Sequence, residues 1–572
     1  MHYQNRQKKT RFDLKWVIVG GSIFLISYFA LIPLCFLLKE TFFSPRTVNQ
    51  AARLTLDNYL TVYGSSQTVT LFWNSVKFSI GASLVSLLIG TSLAWLNERT
   101  NTPFKKIFFG LSIVPLIVPG ILFTVAWILL SSPQIGLLNL FLQYIFNTDY
   151  VFLNIYSIGG MIWVAGLHYS PVAFLLMSAA FRYMDPSLEE SAIMSGANTW
   201  QTLYHITLKL TWPALFGTML ILFIRAIGSF EVPALLGLPA GIQVFTSSIY
   251  QAIHRYPSQI GLASTYATTL LLITAGGIYF QTKLSNQRHR YSTMTGKGYR
   301  PHPIDLGKWR LVAGIAFTLY VCSIVILPFL VLLWSSLQKF YRVPSLSALK
   351  DLTLDAYVFV WNYPNIITSA GNSLLLAVGS ATLIMFITAV ITWIVVKTDI
   401  TGRWFLDNLA SLPLVFPGLV LGLAIMNFYL HVDLGIYGTL WILLFAYITR
   451  FLPYGMRYNT ASMLQIHKEL EESAAISGAS WSTIFKKIIL PLIKPGFIAG
   501  WIYIVIVSIR ELSASILLYS AGTEVISVVI WELWEGGQYV QLSALGVLLI
   551  IGLFFLVILA QILAGRSGLK TT

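Results

Sequence analysis

Two acidic pairs recur in the same setting. LEESAIMSGANTWQTLYHITLKLTWP begins at Leu188, and LEESAAISGASWSTIFKKIILPLIKP begins at Leu470. Leu, Glu, Glu, Ser, Ala, Ser, Gly and Ala repeat at identical spacing, and Pro213 pairs with Pro495. On one reading, Glu189-Glu190 and Glu471-Glu472 simply start a solvated amphipathic helix, since carboxylates suit a helix N-terminus. Gly196 and Gly478 would then end its first turns. That explains one loop but not the same loop twice. The alternative is a docking element, a short helix, a turn at Gly, then a second helix. Small residues such as Ser191, Ala192, Ser195 and Ala197 would let a partner surface approach closely, and the carboxylates would give a directed charge contact.

Catalysis by this chain is not expected. The polar segments hold no Ser/His/Asp or metal-ligand cluster, no G-x-x-x-x-G-K-[ST] phosphate loop, and no stretch long enough for an ATPase domain. A second group of charges lies inside apolar runs, Arg225 with Glu231 and Arg510 with Glu511. Ionisable groups in hydrocarbon cost a few kcal/mol unless they point inward or pair. They form either structural Arg–Glu pairs or part of a pathway. In the second case Glu231 and Glu511 would face its outer mouth and favour a cation.

The elements that must position these residues are membrane helices. Of 572 residues, 56% are apolar and 10% charged, with a mean hydropathy of +0.73. That excludes an ordinary soluble enzyme and a disordered chain. Twelve apolar runs at roughly 16–38, 71–95, 107–131, 156–180, 213–236, 260–281, 311–336, 372–396, 404–428, 438–459, 495–519 and 543–565 are each long enough to cross a bilayer. The first is too long for a signal peptide and is read as a retained span. Backbone in hydrocarbon has no water to bond, so an all-α polytopic protein is expected. Cys35 and Cys322 both lie in apolar runs, so no disulfide or cysteine metal cage is expected.

The net charge of +15 sits in short loops rather than in a nucleic-acid-binding face. One set of segments, taken as the termini, 96–106, 181–212, 282–310, 397–403 and 450–494, holds 27 Lys and Arg against 7 in the alternate loops. The richer set is expected to be cytoplasmic, with both termini inside. Residues 282–310 are basic and contain Pro and Gly, and read as a linker between residues 1–281 and 311–572.

The two halves repeat. Asn74-Ser75, Gly81, Trp95, Thr100, Pro115-Leu116 and Pro119-Gly120 recur 298 residues later as Asn372-Ser373, Gly379, Trp393, Thr398, Pro413-Leu414 and Pro417-Gly418. The offset then falls to 282, which pairs Pro171 with Pro453. Six spans per half is an even number, so the repeats are parallel and both acidic loops face the cytoplasm.

These loops resemble the EAA motif of importer-type ABC transporter permeases, Glu-Ala-Ala, three residues, Gly, then about nine residues to Ile-x-Leu-Pro. The matching residues are Glu190, Ser191, Ala192 and Gly196 with Ile206 and Leu208, and Glu472, Ser473, Ala474 and Gly478 with Ile488, Leu490 and Pro491. Ser replaces the first Ala in both copies. Lys209 stands where the motif proline would be in the first, so its helix is expected to end differently. The resemblance implies two parallel six-helix repeats in a bacterial plasma membrane. Each EAA loop would couple to a separate ATP-binding-cassette subunit, expected as a pair of identical subunits that bind the ATP and Mg. It further implies an extracytoplasmic substrate-binding protein and no cofactor in this chain. Residues 230–252 and 510–538 look like fused ferric-iron permeases, which points to iron(III). Thiamine and phosphonate importers are the alternatives, and an ion-coupled secondary transporter is the alternative from another class.

Overall fold

A computed structural model describes residues 14–45, 51–286 and 303–566. Residues 287–302 of the 282–310 linker, residues 1–13 and residues 567–572 lie outside the described residues, and with them many of the basic residues of those segments. Within them the chain is helical, and extended pairing is limited to isolated bridges of Phe43 with Leu54 and Thr100 with Ile304.

The first half runs α1 (Val19–Glu40), α2 (Ser66–Arg99), α3 (Lys105–Leu116), α4 (Gly120–Ser131), α5 (Ile158–Arg182), α6 (Ser187–Met194), α7 (Thr199–Ile227), α8 (Phe245–His254) and α9 (Ile260–Lys283). The second runs α10 (Trp309–Ser336), α11 (Pro364–Lys397), α12 (Arg403–Val415), α13 (Gly418–His431), α14 (Leu440–Met463), α15 (Lys468–Ile476), α16 (Trp481–Ile509), α17 (Ile526–Glu535) and α18 (Tyr539–Leu559). These elements follow the same order in both halves, and the first half adds a helix, Leu137–Phe146, that has no counterpart among the described residues between α13 and α14.

Among the described residues nine helices are long and apolar enough to cross a membrane: α1, α2, α5, α7, α9, α10, α11, α16 and α18. The expected straight spans 107–131 and 404–428 are instead bent pairs, α3 with α4 at 102° and α12 with α13 at 108°. Proline causes both breaks. Pro119 and Pro417 cannot donate to a continuing helix, and their φ/ψ is extended rather than helical, so a new helix starts at the following glycine. The twelfth expected span is α14, which carries Arg450 and Arg457 and so falls short of the apolar character of the others. Arg450, taken from the sequence as part of an inner segment, lies in the middle of this helix.

Residues 237–259 and 520–542, expected as loops, contain α8 and α17, whose side chains are mostly buried. Each was too short and too polar to register as a span.

Small residues set the helix spacing within each half. A Cβ on Gly90 of α2 would collide with Ala173 and the backbone of Phe174 on α5. In the second half the sizes are exchanged. Thr388 of α11 stands at the position of Gly90, and Gly455 of α14 at that of Ala173. A Cβ on Gly455 would lie 2.7 Å from Thr388 Oγ1. One close approach is thus preserved by moving the glycine from one helix to its neighbour.

Candidate functional site

Both repeated loops have the same architecture. α6 ends at Gly196 with φ +89°, and α15 ends at Gly478 with φ +85°. Each glycine closes a helix C-terminus of the Schellman type. The N–H of Ala197 donates to the carbonyl of Ala192 at 3.0 Å, and that of Ala479 to Ala474 at 3.0 Å. Ser195 Oγ and Ser477 Oγ donate to the carbonyls of Ser191 and Ser473 at 2.8 and 2.9 Å. A Cβ on either glycine would meet open space, so the left-handed backbone, not crowding, requires glycine.

The following helices, α7 and α16, start in equivalent places. Each contains a π turn in the same register, Leu203–Thr207 and Phe485–Ile489, and each is 29 residues long. The expectation that Lys209 would make the first helix end differently is therefore corrected. Lysine leaves the backbone N–H in place, and Pro491 sits in the first turn after the π turn, where its lack of an N–H is tolerated.

The acidic pairs divide their work. The first glutamate of each turns inward. Glu189 is buried, ion-paired with Arg99 at the end of α2, and accepts a hydrogen bond from Thr207 Oγ1. Glu471 lies 3.5 Å from Lys397 Nζ at the end of α11 and accepts from Trp393 Nε1 at 3.1 Å. The second glutamate is the motif residue. Glu190 is half-buried, while Glu472 is exposed and 3.7 Å from Lys468, one helical turn earlier. Sequence reasoning chose Glu190 and Glu472 and missed the anchoring role of Glu189 and Glu471. The signal was available, because Arg99 and Lys397 are themselves related by the 298-residue offset.

The exposed tips of the two loops are apolar. Met194 and Ile476 are equivalent positions, and each is 88% exposed. The second loop has its own small core, in which Trp393 stacks on Trp481 with ring centroids 4.0 Å apart and on Phe485 at 4.8 Å. Beside the first loop, the chain leaving the linker docks on the end of α2. Ile304 N donates to the carbonyl of Arg99 at 2.9 Å. Gly307 N–H and the Asn101 amide both donate to Asp305 and hold its carboxyl below the usual aspartate range.

A cavity of about 240 Å³ lies between the halves. Arg225, Glu231, Arg510 and Glu511 all line it, joined by His168, Tyr169, Arg450, Tyr454 and Tyr503. Arg225 is inside α7, but the expectation that Arg510 and both glutamates lie within helical spans is corrected, Arg510 being the residue that follows the end of α16. α7 and α16 end at Ile227 and Ile509, and Glu231 and Glu511 follow those ends. The helices stop there because the chain turns into the segments leading to α8 and α17. Neither arginine pairs with its sequence neighbour in an ion pair. Glu511 is paired with Arg450 at 3.0 Å and also accepts from the N–H of Ala514 at 2.9 Å.

The duplicated Pro-Gly breaks make room for these charges. A Cβ on Gly120 would lie 3.3 Å from Glu231 Oε2 and 3.4 Å from His168 Nε2. A Cβ on Gly418 would overlap the guanidinium of Arg450. The carbonyls freed at the breaks are served by the opposite half. Arg510 donates to Leu116 O, and Thr274 Oγ1 donates to Val415 O at 2.8 Å. Above the cavity, away from the repeated loops, Phe230, Tyr250 and Trp531 pack with ring centroids 5.2 to 5.6 Å apart. Tyr250 donates to Glu535 across the halves at 3.2 Å. Among the described residues, no cluster of three or more His, Cys, Asp or Glu is placed to hold a metal ion.

A helical membrane chain with a duplicated loop on one side and a charged cavity between its halves has the form of a transport component. The chain belongs to the family described as binding-protein-dependent transport system inner membrane component, which matches residues 86–291 and 396–568. It is 27% identical over 558 residues to a ferric transport system permease protein of Actinobacillus pleuropneumoniae, covering 95% of this chain and 77% of that protein. It is 28% identical over 519 residues to a putative ferric transport system permease protein of Haemophilus influenzae, covering 88% and 78%. A spermidine/putrescine transport system permease protein of Escherichia coli K12 is 26% identical over 215 residues, 38% of this chain and 81% of that protein.

Proposed function

We propose that this chain is the permease of an ATP-binding-cassette importer for iron(III), with both termini in the cytoplasm. In this reading α6 and α15 are the coupling helices, and each seats in an ATPase subunit, a pair of identical subunits binding the ATP and Mg. Glu190, Ser191, Ala192, Gly196, Glu472, Ser473, Ala474 and Gly478 form the contact, and Met194 and Ile476 add apolar tips. The chain itself holds no cofactor. An extracytoplasmic binding protein delivers the cargo to the side of α8 and α17, and Arg225, Glu231, Arg510 and Glu511 line its route.

The observation that carries the reading is the repeated anchoring of the loops. Glu189–Arg99 and Glu471–Lys397 tie each loop to the end of a long helix in the same half. A pull on either loop would then move a rigid bundle rather than a slack segment. The iron assignment is supported by ferric transport permeases matching along most of this chain.

The test is uptake of labelled iron by a deletion strain carrying this chain, with thiamine, phosphonate and spermidine assayed beside it, and co-purification of the ATPase. Iron uptake that depends on ATP and on the two loops is expected. ATP-dependent uptake of another of these solutes would reassign the cargo. Uptake driven by an ion gradient with no ATPase attached would overturn the importer reading.

A further inference from the structure

We propose that the cavity between the halves binds an anion, so that the cargo passes as an oxyanion or as iron(III) carrying an oxyanion ligand. This rests on the importer reading and deepens it. Carboxylates in a pathway would suit a cation, but here they are outnumbered and already engaged. Three guanidiniums, Arg225, Arg450 and Arg510, line the cavity against two carboxylates. Glu511 spends one oxygen on Arg450 and the other on the N–H of Ala514. Glu231 lies at the start of α4, where a helix N-terminus already favours it.

The second half has no such match. α13 begins at Gly418 on the cavity wall with no side-chain cap. What lies over that N-terminus is another positive group, the Arg450 guanidinium. Its Nη1 is buried and has no hydrogen-bond partner, although Nε is paired with Glu511. A guanidinium Nη1 without a partner beside a helix N-terminus that has no side-chain cap is a donor set that suits an oxyanion. Broken membrane helices whose N-termini point at an anionic cargo group follow the same physics. Arg225, beside Tyr503, and Arg510, which donates to Leu116, keep the field positive. A bare trivalent cation would meet three like charges there, whereas a metal whose charge is offset by an oxyanion would not.

The experiment uses the whole assembly, permease with its ATPase in proteoliposomes and iron-loaded binding protein outside. Labelled iron is followed together with labelled phosphate or labelled citrate. Entry of iron with one of these anions in fixed ratio is expected if the anion is a metal ligand. ATP-dependent entry of phosphate alone would support the anion as cargo. Arg225→Gln should lower uptake at least tenfold, and Arg225→Lys should restore it to within about threefold, which separates charge from folding. Iron entering at an unchanged rate with both anions removed, ATP-driven spermidine uptake, or an Arg225→Gln variant of normal rate would overturn the proposal. Anion-independent iron uptake leaves the importer reading standing, whereas no ATP-dependent uptake of any solute removes both.

Discussion

Glu189 reaches from the first repeated loop to Arg99 at the end of α2, and both side chains are buried. The pair joins residues 90 apart in sequence and fixes the loop to the longest helix of its half. Removing one partner of a buried pair leaves an uncompensated charge, which costs about 3–5 kcal/mol. Glu189→Gln should therefore lower the thermal unfolding midpoint in detergent and loosen the loop. The double exchange Glu189→Arg with Arg99→Glu should recover part of the loss. If Glu189→Gln unfolds and transports like the parent, the anchor has no mechanical role. Glu471→Gln should cost less, because Lys397 also donates to the carbonyl of Ile466 at 2.5 Å and keeps a partner.

The glycines test conformation separately from size. Gly196 and Gly478 have positive φ with open space where a Cβ would go. A β-branched residue there costs about 1–2 kcal/mol of backbone strain, whereas Asn tolerates the left-handed region. Gly478→Val should weaken retention of the ATPase severalfold on co-purification, and Gly478→Asn should nearly preserve it. Equal losses from the two changes would mean that the partner needs the missing side chain rather than the turn.

Met194 and Ile476 present apolar surface to solvent at the loop tips. Neither is packed, so Met194→Asp and Ile476→Asp should leave folding unaffected. Burying a charge in a partner groove is costly, so the double variant should reduce ATPase retention at least tenfold. Undiminished retention would place the partner elsewhere on this face.

How much of this was legible depends on the period of each signal. Long apolar runs announce helices regardless of neighbours, so the positions of α2, α5, α9 and α11 could be read directly. The repeated LEES loops could also be read, because eight residues recur at fixed spacing. The bends at Pro119 and Pro417 could have been suspected from Pro-Gly at matched positions. Hydropathy alone cannot separate a straight span from a bent pair, because both contain the same residues. α8 and α17 were not legible, since ten residues with interspersed Ser, Thr and Glu look like loop until their burial is known. Arg450 was misplaced for a related reason. A charge near a helix end and a charge facing an internal cavity read alike in sequence, and the pair with Glu511 and the overlap with Gly418 distinguish them.

That overlap gives the last prediction. A methyl group at Gly418 cannot coexist with Arg450 in its present position, so Gly418→Ala must displace the guanidinium or the start of α13. Displacing it breaks the 3.0 Å pair with Glu511 and leaves a buried carboxylate with only the Ala514 N–H. The thermal unfolding midpoint in detergent should fall, since losing one partner of a buried charged pair costs up to about 3–5 kcal/mol of stability, and uptake should fall with it. The same substitution at Gly120 should be milder, because its Cβ would stand 3.3 Å from Glu231 and the flexible end of that side chain can move. Coupling is decided by a double-mutant cycle on uptake and stability. Once Arg450→Gln has shortened the side chain, Gly418→Ala should cost little more. Full additivity of the two losses would show that the glycine serves the backbone of the break and not the arginine above it.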